Sequence, residues 1–213
     1  MADDSPVRAL PTLLSELIPT LCAACGRNCR DSMVLCTRCS RRLAEAKPLA
    51  GRGASGLDRA WSSAPHEGVA RDLVSALKFR RLLPVAGLMA ERIEWLAPEG
   101  LLGGAVVPVP SVRLRSLGRG FDPAAEIATG LALRIRAPFR PVLARADHGR
   151  QLGRRRAQRI GQPPHVRLCG EAPRSVLLVD DVMTTGATLG ACARALRGGG
   201  SIRVVALTFT RRP

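Results

Sequence analysis

Tyrosine is absent from this 213-residue sequence, aromatic side chains amount to 3%, and of 33 basic residues only Lys47 and Lys78 are lysine. So few rings argue against a nucleic-acid surface that works by stacking bases on aromatic side chains. Acids are short as well, 17 against the 33 bases, which leaves a formal net charge of +16 and an isoelectric point near 11.4. A surface of that sign attracts polyanions, single-stranded nucleic acid among them. An arginine bias in a chain rich in Ala, Gly and Leu also follows from a GC-rich genome, but codon bias alone does not explain the shortage of acids. Long apolar runs are missing too. No stretch of about 18 uninterrupted apolar residues occurs, which speaks against membrane insertion. Met1-Ala2-Asp3-Asp4-Ser5 lacks the basic region of a signal peptide, so the protein is expected to be cytoplasmic. With 46% hydrophobic residues the composition is that of a globular protein, long enough for one medium domain and a small module.

What is present is concentrated near the C-terminus. Val176-Leu177-Leu178-Val179 reads as a parallel strand covered on both faces. It runs into Asp180-Asp181-Val182-Met183-Thr184-Thr185-Gly186-Ala187-Thr188, after which Leu189, Cys192, Ala193 and Leu196 recur at helical spacing. The order strand, loop, helix predicts an open α/β sheet with its ligand at the carboxyl ends of the strands. Backbone N–H groups curling into a helix N-terminus form an anion site, and Thr184, Thr185 and Thr188 add hydroxyl donors. Gly186 can adopt positive φ and admit a phosphate close to the backbone. Asp180 and Asp181 repel a phosphate, so their natural partners are sugar hydroxyls or a Mg²⁺ carried by the ligand. A plain turn with a threonine cap would account for one of these residues, not for the whole run.

The run from Val179 to Thr188 resembles the phosphoribosyl pyrophosphate (PRPP) motif of type I phosphoribosyltransferases. The resemblance implies that Asp180 and Asp181 hold the ribose hydroxyls and that Thr184, Thr185, Gly186, Ala187 and Thr188 bind the 5′-phosphate. The implied fold is α/β, a doubly wound, mostly parallel sheet. Purine-salvage members carry an acid where Thr184 stands, so purine salvage is not expected.

Cys22-Ala23-Ala24-Cys25 and Cys36-Thr37-Arg38-Cys39 are two Cys-x-x-Cys knuckles, and together Cys22, Cys25, Cys36 and Cys39 complete a Cys₄ set for structural zinc. Disulfides compete with this reading but suit an oxidising compartment. Redox chemistry competes as well, though a redox Cys-x-x-Cys normally stands alone. Cys29, between the knuckles, either replaces a ligand or is a bystander. Cys192 falls on an apolar stripe and reads as a small core residue.

Along the chain, Leu10, Leu13, Leu14, Leu17 and Ile18 predict a short amphipathic helix. A brief helix over 41–47 follows the knuckles, and the Gly-rich stretch 51–56 reads as a linker. The expected division is therefore residues 1–50 as an N-terminal helix and zinc module, and 57–213 as the α/β domain. Within the latter we expect a strand over 57–62, a helix ending near Lys78, a helix over 83–96, a strand over 105–110 at an edge or strand end, a helix over 123–134 and a short strand near 141–144. The basic glycine-containing loop 111–122 is a candidate lid. Arg145, His148, Arg150, Arg154, Arg155, Arg156 and Arg159 form either a solvated face or a polyanion site.

The collinear set of knuckles, Ala76-Leu77-Lys78-Phe79, Val107-Pro108-Val109-Pro110, Arg119-Gly120-Phe121, Arg145 with Gln151-Leu152 and the PRPP motif resembles the ComF family of competence-associated, phosphoribosyltransferase-like proteins over nearly the full chain. Asp122-Pro123 stands where that family usually has Asn-Gln, and Gln162 where it usually has Asn. The resemblance implies a PRPP-binding protein linked to DNA uptake and natural transformation, with competence-machinery protein partners and contact with single-stranded DNA. It also leaves room for an active phosphoribosyltransferase with an unspecified acceptor. For such a transfer Lys78 and Arg119, with Arg80, are the catalytic candidates for meeting pyrophosphate oxygens, and Mg²⁺ would accompany PRPP.

Overall fold

Alternation along the run Val176 to Val179 decides the architecture. All four side chains are fully buried, yet Leu177 and Val179 belong to one apolar group and Val176 and Leu178 to another. A strand that feeds two cores must lie between two layers.

The computed structural model describes residues 21–29, 33–51, 54–111, 120–145 and 165–212. Its elements run α1 (Thr37–Glu45), β1 (Leu49–Gly51), β2 (Arg59–Pro65), α2 (Gly68–Arg80), α3 (Pro84–Leu96), a 3₁₀ turn at Glu99–Leu101, β3 (Ala105–Pro108), α4 (Pro123–Arg134), β4 (Leu143–Arg145), β5 (Val166–Leu168), β6 (Ser175–Met183), α5 (Ala187–Gly198) and β7 (Arg203–Arg211). The central sheet has the order β1-β2-β7-β6-β3. All its neighbours are parallel except β1, which pairs antiparallel with β2. One face carries Trp61, Leu177, Val179, Leu207 and Phe209 against Leu73 and Leu77 of α2, Met89 and Ile93 of α3, and Ile127 and Leu131 of α4. The other carries Val176, Leu178, Val204 and Ala206 against Leu189, Cys192 and Leu196 of α5 and Leu143 of β4. This is the doubly wound, mostly parallel α/β sheet that the sequence pattern predicts. The β4–β5 pair forms a small separate antiparallel sheet.

Local chemistry sets the boundaries that matter. Asp122 caps α4, its Oδ1 accepting from Ala124 N at 3.1 Å, while Oδ2 accepts from Ser111 N at 3.2 Å. Pro123 occupies the first turn, where its missing N–H costs nothing. Asp122-Pro123 is therefore a helix start that also ties together the two ends of loop 111–122. The helix α2 extends to Arg80, past the expected end near Lys78, and closes on Arg81 in the left-handed region with φ 55°. The strand β2 begins later than its sequence pattern suggests and continues to Pro65. Ser62 and Ser63 look like a strand end, but both are fully buried, with hydroxyls on Thr208 Oγ1 at 2.6 Å and Phe209 O at 2.7 Å. The second knuckle opens α1, with Cys36 as its N-cap, so that helix starts before the expected residue 41. Strand β3 stops at Pro108, at the sheet edge, as its prolines predict.

The sequence reading assigns no element to β7, the strand at the centre of the sheet. The expected helix over Leu10–Ile18, Arg119 and most of the basic segment 145–159 lie outside the described residues.

Candidate functional site

The carboxyl ends of β2, β7 and β6 bring the chemistry together. Strand β6 leaves the core at Asp180, and consecutive residues of a strand point to opposite faces. The Asp181 carboxylate, 4% exposed as a residue, turns towards α2, where Lys78 Nζ stands 2.6 Å from Oδ2. The contact is an ion pair rather than a directional hydrogen bond. Asp180 is half-buried, and its Oδ1 accepts from Asp181 N at 2.8 Å. Burial, and then the charge of Asp181, push the Asp180 carboxyl well above the usual carboxylate range. On the same side, burial and then Asp180 push the Cys192 thiol up to about 12, so Cys192 packs as an apolar residue.

Beyond β6 the chain turns at Gly186, whose φ of 75° favours glycine. A Cβ there would stand 3.2 Å from that of Ala54. Gly186 is the N-cap of α5 and provides no side-chain cap, so the N–H groups of the first turn face the loop. Thr185 Oγ1 accepts from Ala187 N at 3.4 Å, and Thr184 and Thr185 are exposed. From β4, Arg145 places Nη2 3.5 Å from Thr188 Oγ1, and its buried Nε has no partner. A guanidinium and a helix N-terminus thus converge on one loop, with positive potential from both.

Sequence-predicted residues Lys78, Asp180, Asp181, Thr184, Thr185, Gly186, Ala187 and Thr188 all lie at this end of the sheet. Arg80 does not join them, because its guanidinium bonds Ala23 O in the first knuckle. Arg119 lies outside the described residues. One contributor, His66, escapes the sequence reading. Arg145 reads there as part of a basic segment, whereas its position at the end of β4 aims it at α5. His66, directly after β2, hydrogen-bonds through Nδ1 to Thr210 Oγ1 at 2.9 Å. A histidine between a strand and a helix in an α/β pattern is the signal that could have found it.

The four knuckle cysteines also come together. Their sulfurs all lie within 4.8 Å of one another, with Cys25 Sγ and Cys36 Sγ 3.8 Å apart. A tetrahedral ion with Zn–S bonds of about 2.3 Å separates its sulfurs by about 3.8 Å, so the set fits zinc. Burial raises the Cys22 thiol, but the N–H groups of Cys25, Cys36 and Ala24 outweigh it and bring Cys22 down to about 6. Burial and hydrogen bonding to the neighbouring thiols push Cys39 the other way. Four crowded thiols cannot all ionise unaided, and a dication removes that conflict. Cys29 is buried beside the set but not within it, and none of the cysteines is paired as a disulfide.

A groove of about 1090 Å³ opens at the opposite end of the sheet, lined by Asp58, Arg59, Trp61, Ile202 and Arg203 among others. There Arg203 binds the carbonyls of Gly100, Leu101 and Gly103 at 2.8–3.0 Å, a structural use of its charge. Among the described residues no helix is long and apolar enough to cross a membrane.

No family model matches the chain, and no curated protein matches it. Solved structures do match. One is the glutamine PRPP amidotransferase from B. subtilis complexed with ADP and GMP, at 22% identity and a TM-score of 0.38, over 68% of this chain and 29% of that one. This chain therefore spans less than a third of that protein's length. The fold class stands on the strand order and register described above.

Proposed function

We propose that this protein binds PRPP at the carboxyl end of its parallel sheet. The observation that carries this reading is the junction of Asp180-Asp181 with a left-handed Gly186 and the N-terminus of α5. One half of that junction offers the half-buried Asp180 carboxylate to a sugar hydroxyl, and the other offers N–H donors to a phosphate. In this reading Asp180 accepts the ribose hydroxyls, joined by Asp181 once it leaves Lys78, and Thr184, Thr185, Gly186, Ala187 and Thr188 hold the 5′-phosphate. Arg145 adds charge at Thr188. Lys78, on the far side of Asp181, meets the pyrophosphate together with Arg119. Mg²⁺ bound with the ligand would offset the charge of the pyrophosphate, and the Asp180–Asp181 pair offers it oxygen donors. Zinc in the Cys₄ set is structural, holding the two knuckles and α1 beside the α/β domain, whose central sheet already takes in Leu49–Gly51 as β1.

The cellular role we propose is that of a cytoplasmic phosphoribosyltransferase-family protein of the ComF kind, which handles single-stranded DNA during natural transformation alongside competence-machinery proteins. The charge of +16 supports contact with DNA. A second reading, an active phosphoribosyltransferase, is favoured by the presence of Lys78 and His66 at the site. Thermal shift tests the ligand: PRPP with Mg²⁺ should raise the melting temperature more than equal concentrations of ribose 5-phosphate or pyrophosphate, because it alone engages both halves of the site. An equal or larger shift with either fragment rejects the reading.

A further inference from the structure

Buried hydroxyls constrain the proton arrangement around His66. Ser62, Thr208 and Thr210 are fully buried, so their hydroxyl protons must go to protein acceptors. Thr208 Oγ1 donates to Thr210 O at 3.1 Å, which leaves Ser62 as the donor in its 2.6 Å contact with Thr208 Oγ1. Thr210 Oγ1 donates its single proton to Asp181 O at 3.3 Å. With one proton to give, Thr210 Oγ1 satisfies both of its contacts only when His66 Nδ1–H is the donor across 2.9 Å. A neutral ring protonated on Nδ1 carries a bare lone pair on Nε2.

Burial, and then the neighbouring charges, favour the neutral ring. Lys78 and Arg71 from α2, Arg212 from the end of β7 and Asp181 from β6 act on it, and three of these four are cations. Burial first, and then Arg212 and Lys78, hold the His66 imidazole below its ordinary range, with Asp181 opposing. A basic nitrogen thus stands beside the Lys78–Asp181 pair, in a site whose other groups are cations, hydroxyls or carboxylates engaged with the ribose in our reading.

We infer that His66 Nε2 is the proton acceptor for the incoming nucleophile in a ribosyl transfer at this site, and that this nucleophile is a nitrogen still bearing a proton when it attacks. The inference rests on the reading of the Asp180–Asp181 junction as a PRPP site. In the step, the nitrogen lone pair forms the new bond to C1 of the ribose as the C1–O bond breaks, and pyrophosphate leaves with that bonding pair. The N–H proton passes to Nε2 and is later released to water. The imidazolium so formed keeps its Nδ1–H bond to Thr210 and gains Asp181 as a nearby counter-charge, the same logic by which a carboxylate supports a catalytic histidine elsewhere. This supplies the acid/base group that Thr184 cannot provide.

Two variants separate chemistry from positioning. His66→Asn keeps an N–H donor towards Thr210 but removes the base, and His66→Gln removes the base with a different side-chain length. Pyrophosphate release is measured on the zinc-loaded protein with PRPP, Mg²⁺ and a panel of ammonia, an aromatic amine, and purine and pyrimidine bases, from acid to alkaline pH. The expected result is turnover with an acid limb in the unmodified protein. In both variants it falls by about 100-fold, loses that limb and recovers in part with added imidazole, while PRPP affinity by calorimetry is unchanged. Nitrogen-detected NMR should show the Nδ1–H tautomer of His66 at neutral pH, and an Nε2–H tautomer overturns the inference without reference to activity. Variants that keep the rate and the acid limb overturn it as well. Unmodified protein that binds PRPP yet releases no pyrophosphate with any of these nucleophiles overturns the base and leaves the PRPP site standing, whereas failure to bind PRPP overturns both.

Discussion

Asp181 and Lys78 show how a nearly buried ion pair weighs on the fold that holds it. The carboxylate side chain is 6% exposed and the lysine side chain 25%, so removing the lysine leaves a nearly buried charge without its counter-ion. Breaking a fully buried pair in this way costs roughly 3–5 kcal/mol, and the partial exposure of Lys78 reduces this to about 2 kcal/mol. Denaturant unfolding of Lys78→Met should show that loss. Adding Asp181→Asn should restore most of it, since the stranded charge goes too. A double variant no more stable than the single one contradicts the assignment. Asp180 makes a second prediction. Its carboxyl is raised by burial and by Asp181, so the free protein retains a proton that a carboxylate accepting ribose hydroxyls must lose. PRPP affinity should therefore rise with pH above the ordinary carboxylate value of 3.8, and calorimetry across pH should show the rise flattened in Asp180→Asn. Stability runs the other way: a folded-state pKa above the unfolded one favours folding at low pH and loses that advantage as pH climbs through the unfolded value towards the folded one. At this scale the acids, the threonines and Gly186 were legible because residue type alone states their chemistry. His66 was not, because its surroundings depend on which strands become neighbours, and Arg145 was legible only as one charge in a candidate polyanion segment.

The helix α2 connects the two chemistries of the molecule. Lys78 pairs with Asp181, and Arg80, in the same last turn, bonds Ala23 O inside the first knuckle. Buried Leu35, Cys39 and Leu43 share a core with Leu73 and Leu77 of this helix, so the cysteine module is packed on the element that holds Lys78. Stripping zinc with a chelator should consequently lower PRPP affinity as well as loosen the knuckles, and readdition of zinc should restore both. Calorimetry before and after chelation checks this, and unchanged affinity in zinc-free protein separates the two sites. Sequence patterns identified β6, α5 and α4 because apolar spacing and caps are local signals. They found β2 but ended it early, because Ser62 and Ser63 look like a strand end and are instead satisfied by β7. They missed β7 itself, although Val204-Val205-Ala206-Leu207 is a β-branched and apolar run. Its neighbouring threonines, buried against Ser62 and Asp181, are polar in composition and interior in fact. Asp122-Pro123 illustrates the converse, a departure from the resembled family's pattern that the fold uses as a helix cap.

For the whole molecule the dominant quantity is the charge of +16, almost all of it carried by arginine. Guanidinium groups pair with phosphates without needing the aromatic rings this chain lacks. Binding to single-stranded DNA should be insensitive to sequence and fall steeply as salt rises, with a log–log slope of about −0.7 per phosphate contacted. Fluorescence anisotropy over a salt series measures that slope, and a flat response removes DNA from the account. Calorimetric titration of the zinc-loaded protein with PRPP and Mg²⁺ asks whether the end of the parallel sheet holds this ligand. We predict saturable one-to-one binding that disappears in the folded Asp180→Asn/Asp181→Asn variant. No binding by the unmodified protein, or equal binding by the variant, would contradict it.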